Sequence, residues 1–217
     1  MAKGITRDAI VDAALAVLDD VGMDGLTVRA VAERLDVKAP ALYWHVRDKK
    51  ALLDEMGTRV WTEIAHAAGG PLSTDGEWRD ALELYAHATR RGLLAHRDGA
   101  RAFSGTALTD ASMLRDQEAG LAWMEEQGFT VAATTDAVAI LTSFTVGACI
   151  EEQERAQAPA EVYDIEKRDA AVDAASHPRV AASGRHVRAG GADERFAAQL
   201  AVVLDGVAGL RSGPSLP

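Results

Sequence analysis

An all-helical fold, with a small N-terminal head and a larger helical body, is predicted by three features of the sequence. Proline is absent from Leu72 to Ala158, apolar residues recur at steps of three and four, and two-residue alternation of β-branched side chains is rare. At 217 residues with 48% in the hydrophobic class, the chain can bury a sizeable core as one large domain or two small ones.

The elements follow in order. Ile10, Ala14, Val17 and Val21 line one face of a first helix, behind Thr6 as N-cap, with Asp8 in the first turn and Gly22 after the last. Thr27 caps a short second helix through Leu35, and Pro40 suits the first turn of a third that ends near His45. Leu53, Met56, Val60 and Ile64 give a fourth helix one apolar face, and Gly69-Gly70-Pro71 breaks it. That break divides a head of residues 1–50, with a connecting helix over 49–67, from a body of 68–217. In the body the pattern predicts helices from Trp78 to His96, from a Thr109 cap to Gln127, and from Thr130 to Gln157. Residues 158–190 read as a partly disordered loop with a short helix after Pro178. Phe196, Leu200, Val203, Val207 and Leu210 then form an apolar seam, which needs a partner surface either inside the chain or on a second copy.

Charge and motifs narrow the function. Acidic residues outnumber basic ones 33 to 23, for a net charge of −10, which excludes a polybasic coat for nucleic acid or membranes as a description of the whole surface. The imbalance is uneven: Arg29, Arg34, Lys38, Arg47, Lys49 and Lys50 face only Glu33, Asp36 and Asp48 between positions 29 and 50. One cysteine can form neither an internal disulfide nor a Cys-rich zinc site, and no apolar run approaches a membrane span, so a cytoplasmic protein without membrane contact is expected. Enzyme signatures are missing. His96-Arg97-Asp98 echoes a kinase catalytic loop, but the asparagine that motif requires cannot follow, because the chain contains no asparagine. Cys149 sits in the apolar run Val146–Ile150 and reads as an inert buried thiol.

The segment LTVRAVAERLDVKAPALYWHVRDKK (26–50) has helix-turn-helix spacing. Val28, Val31, Ala32, Leu35, Val37 and Leu42 supply the interior of the helix pair, and Asp36 takes the turn position where a positive φ is needed. An ordinary pair of packed helices would fit the same spacing. Tyr43 and Trp44 favour DNA: a helix this short cannot bury both, and exposed aromatics beside Lys38, Arg47, Lys49 and Lys50 suit thymine methyls and phosphates. Lys49 also opens the fourth helix, where the dipole favours a phosphate.

The stretch LDVKAPALYWHVRDKKALLD resembles the DNA-binding signature of the TetR family of bacterial repressors, and LYWHV is closest to its tetracycline-repressor branch. LLAHRDGARAFSGT, EEQGFT and FTVGACIEEQE extend the resemblance through the body. The resemblance implies a homodimer that binds a palindromic double-stranded DNA operator and answers to a small molecule. It implies a base contact by Arg29, apolar and phosphate contacts by Pro40, Tyr43 and Trp44, and backbone contacts by Lys38 and Lys49. Ala39 and Ala41 stand where the tetracycline repressors use glutamine and threonine, which implies a different operator. The metal-holding histidine of that branch is replaced by Phe103, and a second pocket histidine by Ala65, while a glutamate is matched by Glu151. Oxygen ligands alone could still hold a hard cation. The expectation is nonetheless a cavity needing no metal and no cofactor, for a bulky and largely apolar effector. Phe103, Leu108, Trp123 and Val138 would form its walls, and Tyr85, Thr89, Thr106, Thr135, Thr142, Ser143 and Glu151 its polar positions. A helical small-molecule module without DNA binding, and a repressor answering to a tetracycline–magnesium chelate, are the alternatives.

Overall fold

In the computed structural model, which describes residues 5–70, 76–159, 162, 167 and 170–211, four of the helices begin where a side chain caps them. Thr6 accepts from the Ala9 N–H (3.2 Å) ahead of α1 (Arg7–Gly25), and Thr27 accepts from Ala30 (3.0 Å) ahead of α2 (Val28–Arg34). After α3 (Ala39–Leu42), the Asp48 carboxylate accepts from Ala51 (2.8 Å) and starts α4 (Lys49–Ala67). Such caps are worth about 0.5–2 kcal/mol each. The body comprises α5 (Trp78–Leu94), α6 (Gly99–Phe103), α7 (Ser112–Arg115), α8 (Gln117–Glu126), α9 (Val131–Gln157), α10 (Pro178–Arg188) and α11 (Ala192–Ala208), which runs into a 3₁₀ turn at Gly209–Arg211. No strand occurs among the described residues.

Two apolar clusters hold these elements together. In the first, Ile10, Leu18, Leu26, Val31, Leu42, Leu52 and Met56 of the head are continuous with Leu93, Phe103 and Cys149 of the body. The second joins Trp78 and Leu82 of α5, Met124 of α8, Leu141 of α9 and Phe196, Leu200 and Leu204 of α11. Arg90 pins the second cluster: its guanidinium lies 5.1 Å from the Phe196 ring and pairs with Glu152 (2.9 Å) and Asp193 (2.7 Å).

Two expectations change and one open alternative is decided. The third helix stops at Leu42, and Tyr43–His45 continue only as a turn closed by His45 and Val46 N–H groups on the Leu42 carbonyl. Thr109 caps nothing; its N–H (2.9 Å) and hydroxyl (3.1 Å) bind Thr58 Oγ1 instead, and the predicted 109–127 helix is broken into α7 and α8. The seam of α11 is spent inside the chain, where Phe196, Leu200 and Val207 are buried, joined by Leu204. The region 158–190 contains the helix expected after Pro178, while residues 160, 161, 163–166, 168 and 169 lie outside the described residues.

Head and body meet at the turn after α5. Asp19 accepts from the Arg97 N–H (3.1 Å) and lies 3.1 Å from His96 Nδ1, and Arg97 Nη1 donates to the Asp20 carbonyl (3.1 Å). Asp98, at φ 55°, accepts from Met23 N–H (2.8 Å) and from Gln157 Nε2 (2.8 Å). Gly22 is required opposite it, since φ is 73° and a Cβ there would stand 2.7 Å from Asp98 Oδ2. Buried Gln153 closes the same turn, donating to the Leu93 (3.2 Å) and His96 (2.8 Å) carbonyls and accepting from Ala100 N–H (3.2 Å). His96-Arg97-Asp98 is thus a structural joint.

Replacing Gln153 by alanine removes its bonds to the Ala100 N–H and the Leu93 and His96 carbonyls, of which His96 keeps the Gly99 N–H (3.0 Å), and should cost about 1–3 kcal/mol in urea unfolding. Burial raises the Asp98 pKa, but the Met23 and Gln157 donors, with Arg101 and Arg97 nearby, hold it below the usual 3.8. A depressed acid stabilises the fold above its unfolded pKa and loses that contribution as pH falls through the folded value. Acid should therefore weaken the joint below about pH 4, and Asp98→Asn should flatten that part of an acid-unfolding curve.

Candidate functional site

The head presents its polar and aromatic groups on one side because its apolar ones are used up. Val28, Val31, Ala32, Leu42 and Val46 are buried, and the Val37 N–H closes the turn on the Ala32 carbonyl (3.0 Å) with Asp36 at φ 53°. Nothing is left to cover Tyr43 and Trp44, which are 54% and 90% exposed. Lys38 and Pro40 are exposed with them, and Ala39 and Ala41 are half-buried. Arg29 is exposed on α2 and paired with Glu33 (2.9 Å), a contact it can exchange for a ligand at little cost. Lys49 differs from expectation. Its ammonium donates to the Met23 carbonyl (2.9 Å), and the Asp48 carboxylate already occupies the start of α4. That helix terminus is therefore not an open anion site, and Lys49 can meet a phosphate only with its remaining N–H groups.

The body contains a cavity of about 420 Å³ between α4, α5, the α6–α7 segment, α8 and α9. Tyr85, Phe103, Thr106, Leu108, Thr135, Val138 and Thr142, all proposed from the sequence, come together in its lining. Four others do not. Thr89 is fully buried beyond the cavity, Trp123 packs half-buried against the second apolar cluster, Ser143 is exposed on α9, and Glu151 is exposed and paired with Arg155 (3.2 Å). A 3.6-residue period explains the errors: the α9 residues that line the cavity are 134, 135, 138 and 142, so 143 and 151 point elsewhere. On α4 the resemblance marks Ala65 as a pocket position; sequence reasoning missed its neighbours Trp61, Thr62 and His66, and Met113, Asp116, Gln117, Leu121 and Thr134. Beyond Ala65, the signal for α4 is Trp61, an aromatic lying off its apolar stripe.

Inside the cavity Tyr85 Oη and Thr142 Oγ1 are 2.8 Å apart, and burial pushes the Tyr85 phenol above its ordinary pKa, so it stays protonated. Ionisable groups other than Tyr85 are confined to exposed positions of the lining, His66 and Asp116. A divalent cation does not fit this donor set. Phe103 offers no ligand atom, Glu151 lies elsewhere, and among the described residues no three His, Cys, Asp or Glu side chains come together.

The cavity wall is bonded to the helix that carries the head. Asp54 of α4 accepts from Ala107 N–H (2.8 Å), Thr58 accepts from Thr109, and Gly57 meets Thr106 so closely that a Cβ would stand 2.3 Å from its hydroxyl. Any shift of 103–109 must therefore move α4.

Two measurements check this assignment. Trp44→Ala should leave unfolding free energy within about 0.5 kcal/mol, since the ring contacts almost nothing. Burial pushes the Cys149 thiol up to about 12, so a thiol reagent should label it only in denaturant.

Comparison with known proteins agrees with this geometry. Residues 10–56 match the model for bacterial regulatory proteins of the tetR family, and residues 70–210 match the tetracyclin repressor-like C-terminal domain. The chain is 38% identical over 211 residues to the class C tetracycline repressor protein of Escherichia coli, covering 95% of this chain and 92% of that one. A possible TetR family transcriptional regulator from Streptomyces coelicolor A3(2) superposes with a TM-score of 0.80 at 33% identity, covering 94% of this chain and all of that one. A class A TetR in complex with 5a,6-anhydrotetracycline and magnesium gives 0.67 at 35% identity, over 93% and 97%. The head with its protruding aromatics, the cavity and the hydrogen-bonded link between them are those of a ligand-responsive DNA-binding repressor, and the chain belongs to the TetR family.

Proposed function

We propose that this protein binds a palindromic operator as a homodimer in the cytoplasm and is released by a bulky, largely apolar effector held without a divalent cation. The observation that carries this reading is the protruding pair Tyr43 and Trp44 on a locally basic head, tied through α4 to a cavity lined mostly by apolar groups. Residues 1–50 would meet DNA, α4 would act as the lever, and 68–217 would hold effector and partner. In a twofold dimer the two heads would enter major grooves about 34–36 Å apart. Arg29 would then read a base edge, most naturally guanine through a bidentate contact.

The dimer face follows from what the monomer leaves uncovered. On α9 Ile140 is 44% exposed beside Ser143 and Gly147, and on α11 Val202 is 71% exposed beside Ala198 and Ala201. Small and apolar residues at these places allow close helix approach in a four-helix bundle. By length and composition alone α9 is long and apolar enough to cross a membrane, but its inward side is packed against α5, α8 and α11.

Effector release is a population shift. Weakening operator affinity ~100-fold requires the effector to favour the non-binding arrangement by roughly 2.7 kcal/mol. The relative crystallised with anhydrotetracycline and magnesium supplies the competing reading, a metal chelate as effector. Gel-shift titration on an inverted repeat beside the coding region separates them. Release by an apolar effector should persist in EDTA; an absolute need for Mg²⁺ would overturn the metal-free reading. Arg29→Ala and Tyr43→Ala should each weaken specific binding at least ~10-fold while sedimentation still reports a dimer. Unchanged operator affinity in both would favour a small-molecule module that does not touch DNA.

A further inference from the structure

We propose that the cavity selects rigid, uncharged, fused-ring aromatics bearing a hydrogen-bonding oxygen at each end, laid lengthwise along α9 over Val138. The inference rests on the reading of this cavity as the effector site and adds which atoms orient the ligand.

Three observations carry it. Thr134 is 1% exposed, lines the cavity, and its Oγ1 has no hydrogen-bond partner. In the same lining Thr135 and Thr62 place their hydroxyls on the carbonyl four residues back, at Val131 (2.8 Å) and Thr58 (2.8 Å), and of the three buried hydroxyls without a partner (Thr89, Thr134, Thr145) only Thr134 lines the cavity. A buried donor and acceptor therefore faces the cavity, and leaving such a group unmet is costly. Eight residues on, the Tyr85 hydroxyl meets Thr142 (2.8 Å) and also faces Thr89; even with both contacts made, the three hydroxyls leave one O–H for an acceptor. Thr134 and Thr142 are separated along the helix by roughly 12 Å, the span of three linearly fused rings with substituents. Between them lies Val138, and Trp61 and Phe103 supply aromatic walls. His66 and Asp116 of the lining stand at exposed positions, so neither end of the buried ligand meets a counter-charge.

The test uses 2,6-dihydroxyanthraquinone, at a pH that keeps its phenols neutral, against unsubstituted 9,10-anthraquinone, each titrated calorimetrically into the full-length protein in EDTA. The dihydroxy probe should bind more tightly. Thr134→Val and Tyr85→Phe should each lower its affinity about 3- to 10-fold, leave anthraquinone unchanged, and show unchanged circular dichroism; Thr134→Ser should restore the loss. Equal losses for both probes, no preference in the wild type, or no binding of either would overturn the proposal. If anthraquinone binds and releases operator without discrimination, the effector cavity stands and the two-ended recognition falls. If neither binds and only magnesium anhydrotetracycline releases operator, both fall.

Discussion

The approach of α4 to the Gly105-Thr106 step is the contact from which the working arrangement follows. Gly57 has no Cβ because one would collide with the Thr106 hydroxyl, and on either side Asp54 and Thr58 receive N–H groups from Ala107 and Thr109. A wall of the cavity is thereby bonded to the helix whose first turn packs in the head. The α6–α7 segment has little helix of its own, so its backbone N–H groups need outside acceptors. α4 provides them, and that necessity couples cavity to head. Packed interiors pass on such displacements because they are dense and resist compression.

The head illustrates how brevity produces function. α3 is four residues long, so Leu42 and Val46 anchor it and Tyr43 and Trp44 between them have no interior to enter. Tyr43 and Trp44 are held out by geometry, at the cost of apolar surface left in water, as an apolar patch that awaits a partner would be. The acidic body and the locally basic 29–50 segment restrict attraction for a polyanion to this end of the molecule.

Helices α9 and α11 are apolar on more sides than one chain covers. Phe196, Leu200, Leu204 and Val207 fill the monomer core, while Val202 and Ile140 lie outside it. The seam legible in the sequence is therefore the intramolecular one, and the surface assigned to the second copy is carried by the shorter residues between.

Local chemistry alone determined the all-helical class, the caps at Thr6, Thr27 and Thr130, the positive φ of Asp36 and the protrusion of Tyr43 and Trp44. Each depends on neighbours within four residues or on the small size of one element, and such information lies in the chain order. The tertiary structure decided the rest. It turned Thr109 from a cap into a ligand of Thr58, filled the start of α4 with Asp48, moved Glu151 and Ser143 away from the cavity, and brought Trp61, His66 and Asp116 to it. Those outcomes depend on which faces of separate helices meet, and helical periodicity specifies a face without naming its partner.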